Sequence, residues 1–125
     1  LIVMMGVAGD AIDFRIEMLA RDILPEEVQE CQNPRTLFST QSFAHIFWHE
    51  HIDNFSFDAG DYYCNYIYYR VLDTIYTQVL SRPNERFLPA VFLHVPAFEA
   101  VELEEGLQWI EGFIEKLIDS QILGM

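Results

Sequence analysis

The chain has 125 residues, 51% of them hydrophobic and 14% aromatic, with a formal net charge of −13. That length and composition describe a globular domain with a core of its own and exclude a disordered chain. The acidic balance argues against nucleic acid, whose binders carry basic stripes that neutralise phosphate, and equally against an anionic membrane surface.

Two cysteines, Cys31 and Cys64, lie in different parts of the chain. They make no disulfide framework and fit a reducing, cytoplasmic setting. The opening run Leu1-Ile2-Val3-Met4-Met5 stops at Gly6. It is too short to span a bilayer and has neither the basic start nor the cleavage site of a signal peptide. Its unbroken apolar character predicts a strand over Leu1–Val7, buried on both faces of a parallel sheet and closed by the turn Ala8-Gly9-Asp10. A chain that opens on such a strand is expected to be N-terminally incomplete.

Ile12, Phe14, Ile16 and Met18 alternate with Asp13, Arg15 and Glu17, the period of a half-buried strand. On that period alone Glu17 belongs to a solvated strand face. From Ile23 to Arg35 the pattern is lost among acids and prolines, which predicts a loop with at most a short helix after Pro25. Ser39 or Thr40 is placed to cap a helix that includes Phe43, Ile46 and Phe47. His45 and His49 are one helical turn apart in it, a spacing that could share a metal ion if a carboxylate joined them. Glu50 points to a different helix face and no H-E-x-x-H order is present. No metal site is expected, and a solvated helix end accounts for the histidines.

Asn54–Phe57 reads as a short strand, followed by a tight turn at Ala59-Gly60 and a helix carrying Cys64 in its first turn. The first turn of a helix offers unpaired N–H groups and the positive end of the macrodipole, and both favour a thiolate. Most free cysteines are simply small buried hydrophobes, so both readings stand for this stretch. Ile67, Val71, Leu72, Ile75 and Val79 make an apolar stripe at helical spacing, with the tyrosines Tyr62, Tyr63, Tyr66, Tyr68 and Tyr69 as packing groups with polar tips. Arg82-Pro83-Asn84-Glu85 is a turn. Ala90–Pro96 is a buried strand with His94 near its end, and Glu102–Leu123 an amphipathic helix with Glu102, Glu104 and Glu105 in its first turns.

Strands alternating with helices predict a single α/β domain over residues 1–125 with an open, mostly parallel twisted sheet. In such sheets the site lies outside the carboxyl ends of the strands. The turn after Phe57 and the end of the Leu93 strand both open onto that edge, so Cys64 and His94 are expected to face one crevice. A cysteine peptidase needs a thiolate, a histidine to pair with it and protonate the leaving amine, and a group to orient the histidine. Cys64 and His94 supply the first two, and Glu17 is the candidate for the third.

These residues resemble a family. Gly6-Val7-Ala8-Gly9 followed by Ile16-Glu17-Met18-Leu19-Ala20 is similar to the "GLAGGR…ERVA" segment of the pyroglutamyl-peptidase I (pyrrolidone-carboxylate peptidase) cysteine peptidases. Phe38-Ser39-Thr40 resembles their "YFSTLP", Asp58-Ala59-Gly60-Asp61-Tyr62-Tyr63-Cys64-Asn65 their "SAGTYVCN", and Phe92-Leu93-His94-Val95-Pro96 their "FIHVP". The matches occur in family order and span most of the chain. The resemblance implies a three-layer α/β/α sandwich lacking the family's N-terminal strand, with Cys64 as nucleophile, His94 as base and acid, and Glu17 orienting His94. It implies removal of N-terminal pyroglutamate from peptides without cofactor or metal, and a homo-oligomer, which exposed aromatics would permit.

The chain departs from the pattern at Asp10, where the family has its second glycine, and at Ala11, where it has arginine. Glu27 stands where the family places an arginine associated with the oxyanion site. A lost oxyanion donor typically costs about 10²–10³ in rate, although N–H groups at the Cys64 helix start could partly substitute. Two alternatives follow: a catalytically impaired binding or assembly module, and a divergent amidohydrolase acting on another substrate.

Overall fold

A computed structural model describes residues 1–27, 34–39, 47, 50–81, 88–97 and 99–123. The strands are β1 (Ile2–Ala8), β2 (Arg15–Glu17), β3 (Leu19–Arg21), β4 (Thr36–Phe38), β5 (Phe55–Ser56) and β6 (Ala90–Pro96). The helices are α1 (Tyr63–Ser81) and α2 (Leu103–Leu123), with 3-10 turns at Pro25–Glu27 and Ile52–Asn54. The expected short turn after Pro25 is the first of these. Cys31, Thr40, His45, His49 and the turn at Arg82-Pro83-Asn84-Glu85 lie outside the described residues.

The main sheet has the order β1-β6-β2-β5. The β1–β6 and β2–β5 pairs are parallel, whereas β6 and β2 run antiparallel at the centre. The sheet is therefore mixed, mostly parallel as expected, with one reversal. Successive residues of β6 serve opposite faces. Val91 and Leu93 join Phe14, Ile16, Met18, Phe47, Phe113 and Leu117 in one core under α2, while Ala90 and Phe92 join Ala20, Tyr68, Tyr69, Leu72 and Ile75 in another under α1. Among the described residues α1 covers one face, and α2 with the helical residue Phe47 covers the other, which makes the three layers.

Burial follows from these positions. β6 has a neighbour on each side and a helix on each face, so its apolar run is buried almost throughout. Pro96, which cannot donate to a ladder, comes last, opposite Ala8. Among the described strands the equally apolar β1 pairs only with β6 and stands at the edge of this sheet. Met5 and Val7 are exposed, which corrects the expectation of burial on both faces.

The alternating segment forms only three residues of strand. Ile12 is 85% exposed, whereas Phe14, Ile16 and Met18 enter the core as the period predicts. The chain kinks at Met18 and continues as β3, which pairs with β4 in a two-stranded ribbon that the sequence did not announce. The Asn54–Phe57 strand contracts to Phe55–Ser56, and Phe57 is exposed.

Three polar side chains pin α1 to the strands beneath it. Tyr68 donates to the Glu17 carbonyl (2.8 Å), Tyr76 donates to the Phe38 carbonyl (2.9 Å), and the Asn65 amide bonds the backbone of Arg21. The buried face of α1 consequently includes Tyr68 and Tyr69 together with Leu72 and Ile75, while Ile67 of the expected stripe is exposed. On the opposite face α2 presents Trp109, stacked on Phe14 at 4.1 Å, and Phe113, stacked on Phe47 at 4.9 Å. No helix among the described residues is long and apolar enough to cross a membrane.

Candidate active site

Glu17, at the end of β2, is fully buried (0% exposed). The period that put it on a solvated face missed α1, which covers that side of the sheet. A buried carboxylate is costly unless partnered, and Glu17 has a partner for one oxygen: Ser56 of the adjacent β5 donates its hydroxyl to Oε2 (2.9 Å). The two residues are direct register partners, so the sheet sets this contact.

The other oxygen, Oε1, lies 3.6 Å from Nδ1 of His94. Neither atom has a hydrogen-bond partner among the described residues, and both are buried. His94 is itself 6% exposed and rests against the Phe92 ring, 4.8 Å between centroids. A closure of roughly half an ångström would make the contact a hydrogen bond, and such bonds often tighten only when substrate is bound. The antiparallel register places Glu17 opposite Phe92, two residues before His94, so the pair meets along the sheet diagonal.

Cys64 is the second residue of α1 and half-buried. Its Sγ lies 3.0 Å from where a Cβ on Gly6 would sit, and the Phe92 Cζ 3.2 Å from the same point. A side chain at position 6 would push into both, so the thiol occupies space that only glycine leaves open. Gly6 is the β1 partner of His94, and paired residues project to the same side of a sheet. Cys64, His94 and Glu17 are thus brought to one face of the sheet, the face under α1.

The route by which they meet differs from the expected one. β5 runs antiparallel to β6, so their carboxyl ends point to opposite ends of the sheet. What carries Cys64 back over Gly6 is the 57–62 turn and the direction of α1. That turn is built by polar contacts: Asp58 N–H donates to Ser56 Oγ (3.3 Å), Gly60 N–H donates to Asp58 Oδ1 (2.9 Å), and Gly60 adopts φ +89°.

Three further residues were not singled out from sequence. Ser56 holds Glu17, Gly6 leaves room for the thiol, and Tyr68 ties α1 to the Glu17 backbone. Burial, and then the Glu17 charge, push the Tyr68 phenol well above its ordinary range and keep it a neutral donor. At the rim, Tyr63 donates to Glu26 Oε1 (2.7 Å), a bond that lowers the Glu26 carboxyl and raises the phenol. Glu27 closes the 3-10 turn beside it. Among the described residues no three His, Cys, Asp or Glu side chains are grouped to hold a metal ion.

No protein-family model matches the sequence, and no curated protein matches it. Solved structures do. Pyrrolidone carboxyl peptidase from Thermococcus litoralis superposes with a TM-score of 0.68 at 19% identity, covering 98% of this chain and 67% of its own. The enzyme from Thermus thermophilus gives 0.53 at 22% identity over 83% of this chain and 58% of its own. That from Fervidobacterium islandicum gives 0.51 at 18% over 75% and 50%. The chain thus spans between half and about two thirds of these proteins, and at such identities the likeness is one of fold. Its fold is that of the pyrrolidone carboxyl peptidases.

Proposed function

We propose that the chain is a cysteine peptidase that removes N-terminal pyroglutamate from peptides, with Cys64 as nucleophile, His94 as base and acid, and Glu17 orienting His94. The observation that carries this reading is the buried Glu17–His94 pair, 3.6 Å apart with no other partner for the facing atoms among the described residues, on the sheet face where the Cys64 thiol packs. A bare carboxylate oxygen aimed at an imidazole nitrogen is costly as architecture alone. It is useful if the imidazole must be held in one tautomer and stabilised when it takes a proton.

The reaction uses each group in turn. His94 withdraws the Cys64 proton, Sγ attacks the pyroglutamyl carbonyl, and the imidazolium returns a proton to the leaving amine. Water activated by the same imidazole then hydrolyses the thioester. N–H groups of the first turn of α1 would face the oxyanion, in place of the cation that Glu27 does not supply. A neutral lactam suits the exposed aromatics Tyr62 and Tyr63 at the helix start.

The test is release of aminomethylcoumarin from its pyroglutamyl derivative by the protein expressed from its complete coding sequence. Cys64→Ala should abolish turnover, and Glu17→Gln, which keeps the volume and removes the charge, should lower kcat/KM by about 10²–10⁴-fold. A folded protein without turnover would put the non-catalytic binding reading ahead, and turnover only of other amides the divergent amidohydrolase.

A further inference from the structure

Arg21 has no place in the catalytic scheme, yet it touches the turn before Cys64 more often than any residue in that scheme does. Its Nη2 reaches Asp61 Oδ1 at 2.7 Å, Asp58 Oδ1 at 3.2 Å and the Gly60 carbonyl at 3.2 Å. Three acceptors from one four-residue stretch converge on one nitrogen. The backbone of the same arginine is gripped by the residue that follows the cysteine: Asn65, fully buried, accepts from Arg21 N–H (2.9 Å) and donates to Arg21 C=O (3.0 Å). β3 is thereby fastened to the turn on one side of Cys64 and to the helix on the other.

We propose that Arg21 is a positioning residue for the Cys64 thiol, a latch that holds the 58–61 turn and with it the first turn of α1. The inference rests on the reading of Cys64 as nucleophile. The latch also connects to Glu17. Asp58, which accepts from Arg21, is bonded through its own N–H to Ser56 Oγ, whose hydroxyl serves Glu17 Oε2. One short segment therefore sets both the thiol and the carboxylate behind the imidazole.

Two consequences of removing the guanidinium act in the same direction. The turn loses three contacts at once, which loosens the N–H groups that would stabilise a thiolate. Asp58 and Asp61 lose their counter-charge and add unbalanced negative charge beside a group that must ionise. Among the described residues the charged groups facing this region are Arg21, Asp58 and Asp61 around the turn, Glu26 on Tyr63 at the helix start, and Glu17 and His94 beneath on the sheet. Each ion pair is half-exposed and worth little singly, so the effect is expected in the titration of the thiol before it shows in global stability.

The test is the rate of Cys64 alkylation by iodoacetamide as a function of pH, read by peptide mass spectrometry so that Cys31 is scored separately. It requires no substrate and no turnover. Arg21→Met should move the midpoint of the Cys64 profile upward by at least half a pH unit with the circular dichroism spectrum retained. Arg21→Lys, which keeps the charge and loses the three-way geometry, should give a smaller shift in the same direction. Lys116→Met, which removes one positive charge from the helix on the opposite sheet face, where it pairs with Glu50, should leave the profile unchanged. A folded Arg21→Met protein with the wild-type profile would overturn the latch; should that variant not fold, an unshifted Arg21→Lys profile would do so. A peptidase assay that fails while the shift is seen would reject the proposed activity and leave the latch standing.

Discussion

Gly6 shows how much one missing side chain can decide. It sits on an edge strand that the sequence announces only as apolar, and its own part in the site is to leave room. A Cβ there would meet the Cys64 sulfur at 3.0 Å and the Phe92 ring at 3.2 Å, closer than such atoms normally pack. The ring cannot yield without disturbing the core under α1, so the thiol or the helix must move. Gly6→Ala should therefore destabilise the protein by about 1–3 kcal/mol in urea denaturation and slow Cys64 alkylation. An unchanged midpoint with unchanged reactivity would show that the thiol is not packed on β1. Glu17, by contrast, was visible in the sequence as a polar position within an apolar period. Whether it faced water or His94 depended on α1, and α1 comes more than forty residues later.

At the scale of the element, α1 is held by polar tips as much as by its apolar face. Its tyrosines are numerous, and the structure divides them: Tyr68 and Tyr69 are buried, while Tyr62 and Tyr63 are exposed near the site. Helical spacing predicted the helix and placed Cys64 in its first turn. It did not predict the buried face, because aromatic residues with a hydroxyl can be placed on either side until the acceptor is known. Tyr68 makes that acceptor the Glu17 carbonyl. Its folded-state pKa is raised above the ordinary value of 10.0. The stabilisation is fully present below that ordinary value and is lost as pH rises from it toward the folded pKa, because only the unfolded chain can then release the proton. Urea midpoints should fall as pH rises above about 10, and the fall should be smaller in Tyr68→Phe. That variant should also lose about 1–3 kcal/mol at neutral pH through the unsatisfied carbonyl. An equally steep fall in the variant would assign the pH dependence to other groups.

Over the whole molecule, β6 joins the two faces: residues of one strand serve both cores, so neither face can come apart without exposing the other. Leu72, under α1, and Leu117, under α2, are each fully buried. Replacing either by alanine should cost about 2–5 kcal/mol. In a Trp48→Phe background, where fluorescence reports the α2 face through Trp109, Leu72→Ala should lower the fluorescence transition as much as the one seen by far-ultraviolet circular dichroism. Transitions that separate would mean that the faces unfold independently. The sheet between them was expected to be mostly parallel, and it is, apart from the antiparallel pairing of β2 with β6 at its centre. That one reversal removes the common carboxyl edge from which Cys64 and His94 were expected to meet. They meet instead because the 57–62 turn brings the helix back across the sheet.

The sequence alone determined the α/β class, the strand Ala90–Pro96 and the two long helices, and it named Glu17, Cys64 and His94 as candidates, because periodicity and motif are local properties of the chain. It could not determine the edge position of β1, the direction of β2 against β6, the burial of Glu17 or the grip of Arg21 on the turn. Each of these depends on which segments become neighbours in space, a choice settled by the packing of both sheet faces at once and by no window of sequence. The tertiary structure decided, for that reason, that a cysteine, a histidine and a carboxylate from three distant segments lie on one face of one sheet.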